Sequence, residues 1–86
     1  MTKSRLLVDY EIVEMSGTKL AIFKNGGEDV YVVNQETAYI LNLLKKGFGN
    51  VEIVSKVSSH YDLQSALARK LLSDLLIRLQ DNKLLS

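Results

Sequence analysis

Apolar residues recur with a period of two over the first 34 residues and with a period near 3.6 thereafter, so the chain changes character once, at Asn34. The order read from this is strands, then helices. Val8, Tyr10 and Ile12 alternate with Asp9 and Glu11, and less cleanly with Val13, which suits a strand with one buried face. Ser16-Gly17 marks a turn. A second strand, Leu20-Ala21-Ile22-Phe23, lies between Lys19 and Lys24, and it ends at Asn25-Gly26-Gly27, residues that tolerate the positive φ of hairpin turns. Val30-Tyr31-Val32-Val33 is β-branched or aromatic at every position, so neither face of this third strand reads as solvated. A three-stranded antiparallel meander with a surface waiting for cover is expected.

The helical half has its own punctuation. Asn34 is placed to cap a helix that has Glu36 early, Lys45 and Lys46 late and Gly47 at its end, each residue type where a helix prefers it. Asn50 is expected to cap a second helix carrying Val54, Val57 and Tyr61, and Asp62 a third that runs to about Asp81 and closes at Asn82. At about 100° per residue, Ala68, Leu72, Leu75, Leu76 and Leu79 form the core stripe of that third helix. A second patch, Leu63, Leu67, Lys70, Leu71, Asp74, Ile77 and Arg78, interleaves apolar groups with both signs of charge. A helix that served only a core would not need it, and together these residues read as a groove wall.

Composition narrows the function. The chain has 86 residues and no cysteine, which leaves room for one domain, 1–86, stabilised by apolar packing without disulfides or thiolate metal sites. Eleven Lys and Arg against ten Asp and Glu give a net charge of +1, which argues against affinity built on neutralising many phosphates. Met1 to Arg5 carries two positive charges, but the apolar run behind it stops at Asp9, so no signal peptide is expected. The longest apolar stretch falls far short of the roughly 18–20 residues a membrane span needs, and a cytoplasmic location follows as the default. Catalytic groups are sparse. The single His60 sits near the end of the second helix, Gly26-Gly27 and Gly47-Phe48-Gly49 lack the spacing of a phosphate loop, and carboxylates occur singly. No enzyme activity, metal or cofactor is expected. A winged-helix DNA-binding domain is the alternative that this element count permits, yet the third helix balances Arg69, Lys70 and Arg78 against Asp62, Asp74 and Asp81. An apolar groove with a few charges of each sign suits a peptide better.

The strand Val30-Tyr31-Val32-Val33 running into Asn34-Gln35-Glu36-Thr37-Ala38, an apolar helix ending at Gly47, the block Asn50-Val51-Glu52-Ile53-Val54 and a long last helix followed by Leu84-Leu85 together resemble the PqqD-like family. The resemblance runs from about Tyr10 onward. It departs from the family pattern at Asn82-Lys83, where a glycine is usual, and in lacking a proline after Asn34. What it implies is a winged-helix-like, non-catalytic recognition domain that binds the leader segment of a ribosomally made, post-translationally modified precursor peptide and presents it to a modifying enzyme or leader protease. By that resemblance the leader adds as a strand beside Asp29, Val30, Tyr31, Val32 and Val33 and packs against the third helix. Leu67, Leu71 and Ile77 would then receive apolar leader side chains, and Lys70, Asp74 and Arg78 would set register. The partner enzyme would be a radical-SAM maturase or a lasso-peptide protease, met near Lys45, Lys46 and Lys56, with the chain a monomer or weak dimer.

Overall fold

In the computed structural model of the chain, which describes residues 6–7, 9–24 and 28–85, three strands are followed by three helices. The strands β1 (Tyr10–Met15), β2 (Thr18–Lys24) and β3 (Glu28–Val33) form an antiparallel sheet in the order β1-β2-β3. The helices are α1 (Gln35–Lys45), α2 (Asn50–Tyr61) and α3 (Ser65–Asp81). The α+β architecture expected from the period change is the one found, with the switch at Asn34. Val8 and the Asn25–Gly27 turn lie outside the described residues.

Local chemistry explains the joints. Ser16 and Gly17 both take positive φ, 52° and 79°, as a two-residue hairpin between Met15 and Thr18 requires. Asn34 stands in extended backbone and its Oδ1 accepts from the Thr37 N–H at 2.8 Å, capping α1. At the other end Gly47 (φ 88°) donates to the Leu44 carbonyl while Phe48 donates to Leu43, the paired bonds of a Schellman stop.

Two caps differ from expectation. Asn50 is the first residue of α2, whose N-cap is Gly49, with Glu52 reaching back to the Gly49 N–H at 3.4 Å. Asp62 does not open α3. It ends α2 in the left-handed region (φ 53°), a conformation that Asp tolerates better than most residues, and α3 starts after Gln64. Asn82 does close α3, with its side-chain amide donating to the Arg78 carbonyl at 2.9 Å.

One sheet face packs on the helices. Pairing of Tyr10 with Phe23, Ile12 with Ala21 and Ala21 with Tyr31 puts these residues on that inner face, where Phe23 contacts the rings of Tyr10 and Tyr31 at 5.6 and 5.4 Å. Against them lie Ile40, Leu41, Leu43 and Leu44 of α1, Ile53 and Val57 of α2, and Ala68, Leu72, Leu75 and Leu79 of α3. Leu76, expected in the stripe, is only half-buried, and Ile12 is exposed although it faces inward, because it sits on an edge strand. Leu84 and Leu85 close the core and pin the N-terminal side through the Leu6–Leu85 bridge and a Leu7 N–H to Leu84 carbonyl bond of 2.9 Å. Asp9 is tied down too, with Lys45 Nζ 3.0 Å from its carboxylate and 5.3 Å from the Tyr10 ring.

Candidate functional site

Since β2 is the central strand, β3 is paired on one side only, and its other edge carries no partner strand among the described residues. Such an edge presents a row of main-chain donors and acceptors that another extended chain can complete. The pleat sorts its side chains. Tyr31 and Val33 point to the core, Val33 being buried and Tyr31 half-buried, while Val30 and Val32 are 48% and 68% exposed on the outer face. The expectation that neither face is solvated thus resolves into one face that is covered and one that is apolar but open. Asp29 is placed by its backbone, opposite Phe23.

On the outer face the register lines up Val13, Leu20 and Val32 in one rung and Glu11, Ile22 and Val30 in the next. A strand added beside β3 would extend these rungs by one residue each.

The α3 residues divide. Leu67 is 46% exposed, Leu71 is half-buried against the core, and Lys70, Asp74 and Arg78 are exposed. Helical spacing puts Leu67, Leu71, Asp74 and Arg78 on one flank, with Lys70 at its outer margin. Ile77 lies at the same margin, in one row with Lys70 seven residues before it. Six residues after Leu71, it lies about 120° away around the helix axis, and it is 56% exposed beside the row that holds Ser73. Lys70, Asp74 and Arg78 succeed one another at four-residue spacing but make no ion pair, the Lys45–Asp9 pair being the one ion pair within 4.0 Å among the described residues.

The electrostatics are mild. The hydrogen bonds from Lys45 and from the Tyr10 N–H hold the Asp9 carboxyl below its ordinary value of 3.8, whereas burial and the Asp9 charge push the Tyr10 phenol up. Burial, then the Glu36 charge, raises Tyr61, whose hydroxyl donates to the Gln35 carbonyl at 3.3 Å. His60 stacks on Tyr39 at 4.5 Å and meets Tyr61 edge-on, a packing role. Among the described residues no group of three or more His, Cys, Asp or Glu could hold a metal ion, and no helix is long and apolar enough to cross a membrane. The arrangement offers a strand edge, two exposed valines and a helix flank of mixed chemistry.

A similar arrangement exists in a solved structure. TbiB1, determined in complex with the TbiA(beta) leader peptide, superposes with a TM-score of 0.73 over 95% of this chain and 94% of that one, at 18% sequence identity. The chain has the TbiB1 fold. That agreement extends to nearly the whole of both proteins, so the likeness to TbiB1 is of complete architecture and not of a shared hairpin. No protein-family model matches the sequence, and no curated protein matches it. At 18% identity the likeness to TbiB1 is one of fold.

Proposed function

We propose that the chain is a PqqD-like leader-peptide recognition protein that binds the leader of a ribosomally made precursor by strand addition to β3 and presents the precursor to a modifying enzyme or leader protease. The observation that carries this is the place of β3 at the edge of the sheet, with no further strand beside it among the described residues, on a fold shared with a protein solved with a leader peptide bound. Main-chain hydrogen bonds along Asp29–Val33 supply affinity that tolerates sequence variation, and side chains on the two faces of the added strand supply selectivity. On this reading the inward-facing side chains are received by the α3 flank of Leu67 and Leu71, and the outward-facing ones continue the Val30 and Val32 rungs. Lys70, Asp74 and Arg78, exposed and unpaired with one another, are free to take ionic groups of either sign and so fix register. The leader must be ordered on binding, which holds net affinity to a moderate level and leaves it releasable to an enzyme. No step of this role breaks a covalent bond in the chain or its ligand.

The test is a titration of the chain with the leader of the precursor encoded beside it, read by calorimetry and by backbone amide shifts. Saturable binding with shifts and slowed hydrogen exchange along 29–33 and the Leu67–Arg78 flank is expected. Absence of leader binding, with salt-sensitive binding to duplex DNA instead, would transfer the chain to the winged-helix regulators.

A further inference from the structure

The opposite flank of α3 forms a second surface that leader binding does not use. Between α2 and α3 a hollow of about 320 Å³ is floored by Val54, Leu72 and Leu76, with Val51 and Arg69 at its lips. A second hollow of about 440 Å³ adjoins it, sharing Val51, Val54 and Arg69 and bordered by serines 55, 58, 59 and 65. The two make a continuous furrow. From Val51 to Ser59 it follows eight residues of helix, roughly 12 Å at about 1.5 Å per residue.

Three features set this furrow apart from an ordinary seam between helices. Val51 is 75% exposed, the most exposed of the large apolar side chains among the described residues, although it stands on the first turn of a helix where a polar residue would cost nothing. Ile77, 56% exposed, lies one residue beyond Leu76 and one turn beyond Ser73, which lines the first hollow. Arg69 is the one charged residue lining either hollow, and it makes no ion pair or hydrogen bond among the described residues.

The geometry points to this furrow as the docking site for an acidic amphipathic helix of a partner protein, with aliphatic anchors seated on Val51, Val54 and Leu76 and a carboxylate paired to Arg69. A helix fits where an extended segment does not, because an apolar floor between two helices offers no main-chain partners and a helix satisfies its own. The sign follows from the lining, since a lone cation beside an apolar floor selects a carboxylate and rejects a lysine. A second copy of this chain is the wrong occupant: a two-fold contact through the furrow would bring Arg69 toward its own copy with no carboxylate in the lining. That the partner is the enzyme receiving the leader rests on the function proposed above. The furrow itself does not depend on that reading.

The probe is a 14-residue synthetic amphipathic helix with leucines on one face, glutamates beside them and one tryptophan, and a twin with lysine for every glutamate. The chain has no tryptophan, so fluorescence reports the peptide alone. Saturable binding of the acidic helix is expected, with amide shifts confined to 51–59 and 65–76 and at least tenfold weaker binding of the lysine twin. Arg69→Glu should invert that preference, and Val51→Asp should lower affinity about tenfold with an unchanged melting temperature, as fits an exposed site. Equal binding of the two peptides, shifts elsewhere, or no saturable binding overturns the proposal. Repeating the titration on the chain saturated with the encoded leader separates the two readings. Simultaneous occupancy supports both, displacement of the helix by leader overturns independent docking, and a leader that fails to bind while the helix still does removes only the leader reading.

Discussion

Replacing Lys83 by glycine should stabilise this protein. Lys83 follows the C-cap Asn82 with φ 59°, donating to the Gln80 carbonyl at 3.0 Å while Leu84 donates to Leu79 at 2.9 Å, so it occupies the left-handed position of a Schellman stop. The stop turns the chain so that Leu84, fully buried, and Leu85 reach the core. A residue with a Cβ costs about 1–2 kcal/mol in that conformation, and glycine returns roughly 0.4–1 kcal/mol through its greater freedom in the unfolded chain. The net gain over alanine at the same position is then about 0.5–1 kcal/mol, or roughly 2–8 °C in melting temperature for a domain of this size. Lys83→Ala is the reference because it shares the loss of a cation near the helix C-terminus and differs from Lys83→Gly only in backbone freedom. Thermal unfolding of the three proteins, followed by far-ultraviolet circular dichroism at one concentration, measures the difference. A Lys83→Gly protein that melts at or below Lys83→Ala refutes the left-handed assignment and with it the explanation of how Asn82-Lys83 replaces a glycine.

Other perturbations separate fold from function. Leu67→Asp, at an exposed position, should weaken leader binding about tenfold with no change in melting temperature, whereas Leu71→Ala, half-buried, should lose roughly 1–2 kcal/mol of stability as well as affinity; calorimetry and melts on both variants distinguish them. Ser16→Asn should stabilise the β1–β2 hairpin by a few tenths of a kcal/mol, because asparagine accepts the positive φ of its first turn position more readily than serine; denaturant midpoints read this. Asp9 has a native pKa held below 3.8, so its contribution is present above that value and disappears as pH falls through the lowered one. Asp9→Asn should therefore flatten the acid limb of a stability–pH profile below about pH 4 and leave it parallel to the parent above.

The sequence disclosed the elements better than their ends or their neighbours. The switch at Asn34 was legible because the cap, the acidic first turn and Gly47 agree with one another, and local agreement of that kind survives in the folded chain. Asp62 misled because the same short polar side chain serves equally as an N-cap and as a left-handed exit, and only the position of Ser65 decides between them. Ile77 was grouped with Leu71 by helical position, and the two mark opposite margins of the patch, about 120° apart, with Ile77 in one row with Lys70. The α2–α3 furrow could not be read at all, since its lining comes from two helices whose rotation is set by Ile53, Val57, Ala68 and Leu72 packing in the core. An apolar Val51 on the first turn of α2 was the one local signal of it.

The open β3 edge invites a competitor to any leader, namely the same edge of a second copy. Natural edges are commonly blunted by charge, and β3 does begin with two acidic residues, Glu28 and Asp29. In an antiparallel self-pairing that keeps the outer faces of both copies on one side and centres on Val30, however, Glu28 falls opposite Val32 of the second copy and Asp29 opposite Tyr31, so the two acidic positions never face each other and charge gives little protection. Only a register shortened to centre on Asp29 would set the acids against each other, and it forfeits most of the hydrogen bonds. Self-association through β3 is therefore expected to be weak but real, and to compete with the leader for one edge. Apparent leader affinity should fall as chain concentration rises, in step with a dimer fraction measured by sedimentation equilibrium, and Val32→Glu should suppress the dimer by setting a carboxylate against the acidic start of the other copy's β3. A leader affinity independent of chain concentration, in a range where the dimer is populated, would mean that the dimer forms elsewhere and that β3 is left to the peptide.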